Sequence, residues 1–136
     1  MKRLSLLLVA LSLAGWTKAS HSKPSEQTQS GLNATAGNEL KTAEAEMTLL
    51  LNRLITRAAG KTDAIAKLTK AQTAWKTYRD SQIEAMWPFP ERGQYGSVYP
   101  MCVGNELTKL TKARVVELRR MLNPVEGDVC ASQWPE

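Results

Sequence analysis

The chain has 136 residues, with 18 Lys and Arg, 13 Asp and Glu, and one histidine, for a formal net charge of +5. Three of its cations, Lys2, Arg3 and Lys18, lie near the N-terminus, and the remaining 15 against 13 leave only +2. This balance argues against nucleic-acid binding, which requires a dense basic face. Two cysteines and one histidine are also too few for a four-ligand zinc site.

The first 19 residues have the layout of a bacterial secretion signal. Lys2 and Arg3 precede an apolar run over residues 4–14. That run is about eleven residues long, whereas a membrane-spanning helix needs about 20. Small residues stand at the −3 and −1 positions of a cleavage site before Ser20. We therefore expect residues 1–19 to be a cleaved signal peptide.

Trp16 bears on whether the mature chain is lipid-anchored. The segment 13–15, Leu-Ala-Gly, begins like a lipoprotein processing box, in which the next residue is a cysteine that carries the lipid. Trp16 cannot form that thioether. The sequence therefore predicts a soluble periplasmic or secreted bacterial protein without a stable membrane anchor.

The mature sequence divides by composition into three parts. Residues 20–37 are almost all Ser, Thr, Gln, Asn, Gly and Pro, a composition typical of a flexible tether. Residues 38–123 carry the regular apolar spacing of one small helical domain. Residues 124–136 form a short C-terminal tail.

Apolar residues at steps of three and four predict three helices in the domain. The first runs from about Glu39 to Ala59, and the second starts near Asp63 and ends near Met86. The third is expected to be capped by Ser97 and to end before Pro124. Short connections make successive helices antiparallel. The predicted fold is all-α, a small antiparallel three-helix hairpin or bundle.

The loop between the second and third helices contains two prolines and two glycines, which favour an irregular surface segment. Aromatic residues on a stiffened loop are good anchors for a protein partner, because ordering them costs little entropy. Alternatively, they fold back and cover the open end of the helices. The candidate contact residues are Trp87, Phe89, Glu91, Arg92 and Tyr95.

The domain contains no recognisable catalytic constellation. Its one histidine, His21, lies in the predicted tether, so no Ser-His-Asp or Cys-His arrangement can form within the helices. The carboxylates are spread singly along helices, and no glycine-rich phosphate loop is present. We expect a protein that is not an enzyme, with no catalytic residues, no cofactor and no metal.

Trp75 and Arg79 are four residues apart and share one face of the second helix. One interpretation is structural: a core tryptophan beside an arginine whose charge is met by backbone carbonyls or by a carboxylate on another helix. The candidates on the third helix are Glu106, Glu117 and the Thr111 hydroxyl. The other is a ligand-binding role. The structural interpretation is the more common one for such a pair.

Two motifs in this region resemble a known family. The segment AQTAWKTYRD is followed by a Gly-Ser loop and then by LTKARVVEL. Together they resemble the small secreted domain of the LprI-type lysozyme inhibitors and their YecT-like relatives, over about residues 40–122. The motif residues that match are Gln72, Trp75, Tyr78, Arg79, Asp80, Leu110, Thr111, Arg114, Glu117 and Leu118.

The chain departs from the family pattern at its cysteines. The two bridging cysteines that the resemblance implies would fall at Ile83 and Glu106, so both are absent. Cys102 and Cys130 lie elsewhere, and an even count in an oxidising compartment suggests a bridge between them. Closing that bridge requires a nearly straight tail running back along the third helix, which is about 30 Å long from Cys102 to Leu122.

The resemblance implies a non-enzymatic, exported domain that binds a protein, with lysozyme as the candidate partner. Lysozyme works with two carboxylates in a cleft, and Arg92 is the first candidate to enter such a cleft. The alternative is a structural or stress-related module of the cell envelope that does not inhibit lysozyme.

Overall fold

In a computed structural model of the protein, residues 28–135 are described. The predicted signal peptide and the first part of the predicted tether, residues 20–27, lie outside that range. The described chain forms three helices, α1 (Gln29–Arg57), α2 (Thr62–Met86) and α3 (Tyr99–Leu122), with a 3₁₀ turn at Arg92–Tyr95. This confirms the predicted all-α, three-helix architecture.

The helices run up, down and up. At one end of the bundle the Asn33 side chain of α1 donates to the carbonyl oxygen of Ser97, just before α3, at 3.1 Å. At the other end Arg57 Nη1 donates to the Leu122 carbonyl oxygen at 2.7 Å. α1 and α3 are therefore parallel, and α2 runs in the opposite direction, so successive helices are antiparallel, as predicted.

α1 begins ten residues before its predicted start, which corrects the predicted tether. Thr28 is the N-cap, and its hydroxyl accepts from the Gly31 amide at 3.2 Å. Residues 29–37, expected to be flexible, are helical. The composition of residues 29–37 does not reveal this helix, because its buried contact is made by a small residue. Ala36 is buried against Gly104 of α3, and this close contact between small residues holds the first turns of α1 in place.

α1 and α3 form the closest helix pair of the molecule. The buried positions of α3 recur at steps of four and three, the spacing of a coiled-coil seam. They are Gly104, Thr108, Thr111, Val115, Leu118 and Leu122. The facing buried residues of α1 are Ala36, Ala43, Met47, Leu50 and Leu54. Side chains are small near the start of both helices and large near their ends, where Leu68 of α2 joins the hydrophobic core.

The helix boundaries agree with the sequence signals in two places and differ in one. Gly60 adopts a positive φ of 81° just past α1, as a glycine after a helix commonly does. Pro100 lies in the first turn of α3, as predicted. Ser97 does not cap α3, however: the N-cap is Val98 and no side chain caps the helix. The Ser97 carbonyl oxygen instead accepts the hydrogen bond from Asn33.

The C-terminal tail closes the end of the bundle opposite the loop. It leaves α3 through turns at Val125–Asp128 and Asp128–Ala131. Trp134 then packs against the core, and its indole N–H donates to the Leu54 carbonyl oxygen at 3.0 Å. The same carbonyl oxygen also accepts the Ala58 amide at 3.0 Å, so Trp134 adds a second donor to it and ties the tail to the last turn of α1. Within residues 28–135, no helix is both long and apolar enough to span a bilayer.

Candidate functional site

Gln72 and Arg114, two of the family-motif residues, connect all three helices. Gln72 is buried on α2, and its side-chain amide donates to the Met47 sulfur of α1 at 3.4 Å. Its oxygen accepts from Arg114 Nε of α3 at 3.1 Å. Arg114 also donates to Glu117 at 2.7 Å. The bonds of Gln72 to Met47 and to Arg114 lie between helices and fix the height of each helix relative to the others, whereas the bond to Glu117 lies within α3.

Arg79 is held by α1 and not by α3. Its Nη1 donates to Glu44 at 3.2 Å, and its Nε donates to Asp80 at 2.9 Å. The guanidinium carbon lies 5.4 Å from the centre of the Trp75 ring, within the range of a cation–π contact. Trp75 and Arg79 therefore share a helix face, as their spacing predicts.

A carboxylate on another helix does meet Arg79, but it is Glu44 of α1, and the candidates expected on α3 do not contact Arg79. Glu106 pairs with Lys109 at 3.3 Å, and Glu117 pairs with Arg114. The Thr111 hydroxyl is fully buried and makes no hydrogen bond with the part of the chain that the structure describes. The antiparallel direction of α2 brings Arg79 beside the middle of α1. The spacing of residues within one helix does not show which helix lies next to it.

The other motif residues differ in burial. Leu118 is fully buried, Leu110 is half-buried, and Tyr78 is 55% exposed on α2. The Tyr78 side chain therefore faces solvent, although it lies next to Arg79 in the sequence. Burial in the core does not explain this position.

Aromatic rings of the loop and of the first turn of α3 form one cluster at the end of the bundle. Tyr95 stacks on Tyr99 with ring centres 5.0 Å apart, and Trp87 meets Tyr99 edge to face at 5.9 Å. Phe89 lies 6.2 Å from Tyr95. The Phe89 amide also donates to the Tyr95 hydroxyl at 2.7 Å, which fixes the loop backbone to a ring of the same cluster. We call Trp87, Phe89, Tyr95 and Tyr99 the aromatic cluster.

The rings differ in exposure, so the alternative in which they fold back over the helix ends describes some of them but not Phe89. Trp87, Tyr95 and Tyr99 are half-buried and cover the ends of the helices. Phe89 is 58% exposed and projects from the loop between its two prolines. Tyr99 is not among the contact residues predicted from the sequence, because it follows the loop and belongs to the third helix. Its spacing of four from Tyr95 was the available signal.

A cleft of about 560 Å³ opens beside the aromatic cluster. One wall is the last part of α2, which contributes Asp80 and Glu84, and the other is formed by Trp87, Phe89 and Tyr99. At the loop tip, Glu91 is exposed and accepts a hydrogen bond from Gln94 at 3.2 Å. The Arg92 side chain, predicted to enter a partner's cleft, lies outside the described part of the structure.

The predicted bridge between Cys102 and Cys130 is not formed, and both thiols are free. Cys130 lies beside Arg120, near the end of α3. Cys102 is 18 residues earlier on the same helix, which places it about 27 Å away along the axis. The bridge required a straight tail, whereas the tail folds into turns and ends with Trp134 on α1. Within residues 28–135, no three His, Cys, Asp or Glu side chains are close enough to hold a metal ion.

Comparison with known proteins identifies the family of the chain. Residues 19–118 match the family model described as lysozyme inhibitor LprI, a range that includes all of α1 and α2 and most of α3. An uncharacterized protein of Rhizobium meliloti (strain 1021) is 33% identical over 136 residues, covering 91% of this chain and 95% of the relative. No solved structure matches the chain significantly. The chain belongs to the LprI lysozyme inhibitor family.

Proposed function

We propose that the protein is an exported, non-enzymatic inhibitor that binds lysozyme through the aromatic cluster and the loop around it. Membership of the LprI family supports lysozyme as the partner. The observation that points to the place of contact is the aromatic cluster, with its exposed Phe89 fixed by the bond from its amide to Tyr95. The N-terminal sequence supports export, since residues 1–19 have the layout of a secretion signal.

The physical argument for the aromatic cluster is entropic. A ring that is already held in place loses little freedom when a partner covers it, so more of the contact energy is available for affinity. Aromatic residues are also among the side chains that most often dominate the energy of protein interfaces. Pro88 and Pro90 on either side of Phe89 further restrict the backbone.

The proposed mode of inhibition is occlusion. A lysozyme acts on a long sugar chain with two carboxyl groups that flank the scissile bond. A rigid, protruding loop that enters or covers this cleft excludes the substrate without any chemistry of its own. Arg92, at the tip of the loop, remains the candidate to face those carboxylates.

The test is an assay of cell-wall lysis by lysozyme, with and without the purified protein lacking its predicted signal peptide. We expect the protein to slow lysis in proportion to its concentration. Phe89→Ala should weaken inhibition by about tenfold or more, as expected for an interface hot spot. Tyr95→Phe, which removes only the hydroxyl that fixes the Phe89 amide, should weaken it less.

The matched control is Leu49→Ala. Leu49 is 50% exposed on α1, similar to Phe89, but it lies outside the aromatic cluster. Its substitution should leave inhibition unchanged. Absence of inhibition by the unaltered protein at large molar excess would contradict the proposal and favour a structural or stress-related role in the cell envelope. Equal loss in the Phe89 and Leu49 variants would contradict the assigned surface.

A further inference from the structure

We propose that the cleft between α2 and the aromatic cluster accepts a cationic side chain, lysine or arginine, of the protein partner. This inference rests on the proposed function, because it specifies the chemistry by which that partner is recognised. Its basis is the combination of a carboxylate wall and an aromatic wall in one open cleft of about 560 Å³.

The first wall is acidic. Asp80 and Glu84 are four residues apart, so both lie on the same face of α2 and line the cleft. Asp80 already accepts from Arg79 at 2.9 Å, and its charge is shared with that guanidinium. Glu84 is exposed, and no described side chain pairs with it. Glu84 is therefore the carboxylate whose charge is most available to an incoming cation.

The end of α2 adds to the negative potential. Its last carbonyl groups point toward the loop, and the C-terminus of a helix carries a partial negative charge that favours cations. The last turn of α2 contains no basic residue to offset this charge. A cation entering the cleft would meet both the Glu84 carboxylate and the helix terminus.

The second wall is aromatic. Trp87 meets Tyr99 edge to face, with an angle of 81° between the ring planes. In such a pair, whichever ring presents its edge, at least one face of the Trp87 indole stays clear of Tyr99. Cations bind over the faces of aromatic rings, and tryptophan is the best of these partners. A lysine or arginine side chain can therefore lay its stem on Trp87 while its charge reaches Glu84.

Charge complementarity selects this occupant over an apolar one. An apolar side chain in the cleft would remove water from Asp80 and Glu84 without replacing their hydrogen bonds, which is unfavourable. A cation replaces that lost hydration with an ion pair. The near-neutral mature chain thus presents a local acidic site, although its net charge gives no long-range attraction for a basic partner.

The test uses NMR spectroscopy of the isotope-labelled protein and a defined probe, the end-blocked tripeptide Gly-Arg-Gly. We expect saturable shifts of the Trp87 indole N–H signal. The same peptide with citrulline, which has the shape of arginine without its charge, should bind at least about fivefold more weakly. Glu84→Gln should weaken arginine-peptide binding by about fivefold, whereas Glu126→Gln, an exposed carboxylate of the tail, should not.

The outcomes separate this inference from the proposed function. Inhibition of lysozyme without any shift at Trp87, or with equal shifts from the citrulline peptide, overturns the inference and leaves the inhibitor proposal standing. Arginine-specific shifts without inhibition support the cleft and overturn lysozyme as the partner. Inhibition that Glu84→Gln weakens, together with arginine-specific shifts, supports both.

Discussion

Gly104 of α3 lies so close to Ala36 of α1 that a methyl group on Gly104 would stand 3.2 Å from the Ala36 Cβ. The Ala36 backbone carbonyl carbon would be only 3.4 Å away, so the neighbour cannot simply rotate aside. This contact joins the start of α1 to the start of α3, next to the aromatic cluster. The position of α1 relative to the loop therefore depends on a residue without a side chain.

Substitution of this glycine should behave differently from substitution of another helical glycine. Gly37→Ala, on α1, meets nothing within 4 Å and should raise the free energy of unfolding by about 0.5–1 kcal/mol through helix propensity. Gly104→Ala should give no such gain, and Gly104→Leu should lower the free energy of unfolding by about 2 kcal/mol or more through overpacking. Urea denaturation measures all three. Equal gains in the free energy of unfolding from Gly37→Ala and Gly104→Ala would show that the contact between α1 and α3 at Gly104 has room for a methyl group.

Gln72 and Arg114 share a hydrogen bond, so their contributions to the free energy of unfolding should be coupled. A hydrogen bond to a charged group in a partly buried setting contributes about 1.5–3 kcal/mol. A double-mutant cycle with Gln72→Ala and Arg114→Ala should therefore give a coupling energy of about 1–2 kcal/mol, measured by denaturation. The pair Glu106–Lys109, 3.3 Å apart within α3 and with its lysine exposed, is the control and should give less than about 0.5 kcal/mol. Additive effects at Gln72 and Arg114 would refute the link.

Valine substitutions of two buried threonines of α3 should change the free energy of unfolding in opposite directions. The Thr108 hydroxyl donates to the Gly104 carbonyl oxygen at 2.8 Å, so Thr108→Val should lower the free energy of unfolding by about 0.5–1.5 kcal/mol. The Thr111 hydroxyl is buried without a partner among the described residues, and Thr111→Val should raise the free energy by about 1 kcal/mol. Thermal unfolding of the two variants compares them directly. A destabilised Thr111→Val variant would reveal a polar contact of that hydroxyl.

Trp134 should contribute to stability although it lies beyond the matched family range. Trp134→Ala removes both its packing on the core and its bond to the Leu54 carbonyl, and should lower the free energy of unfolding by about 2–3 kcal/mol. Trp134→Phe keeps most of the packing and should cost about 1 kcal/mol. Val129→Ala, at a residue of the same tail that is 93% exposed, is the control and should change nothing. Unchanged stability of the Trp134→Ala variant would show that the tail does not contribute to the stability of the fold.

The number and order of the helices, and every helix end except the start of α1, could be predicted because large apolar residues recur at helical spacing. The α1–α3 seam could not, since its first half is built from Ala36, Ala43, Gly104 and Thr108, which carry little hydrophobic signal. For the same reason, residues 29–37, which are mostly small or polar, were predicted to belong to the tether. Close packing of backbones is a tertiary property, and composition does not report it.

The candidate site was predictable only in part. The prolines and rings of the loop pointed to Phe89 and its neighbours, but Tyr99 and Glu84 join them only through the folded arrangement. The acceptors predicted for Arg79 on α3 and the bridge predicted between Cys102 and Cys130 were wrong for the same reason. Each depends on where a distant segment lies in space, and helical spacing within one segment carries no such information.

The parallel arrangement of α1 and α3 decides how the molecule can be attached to a surface or a label. Thr28, where the described chain begins, is at the same end as the aromatic cluster, whereas Trp134 is at the far end of α1. The 29 residues of α1 separate these ends by about 43 Å. A fusion or immobilisation tag joined directly to Thr28 would start at the end of the bundle that carries the cleft. A tag placed after Trp134 would leave the cleft open to solvent and to its partner.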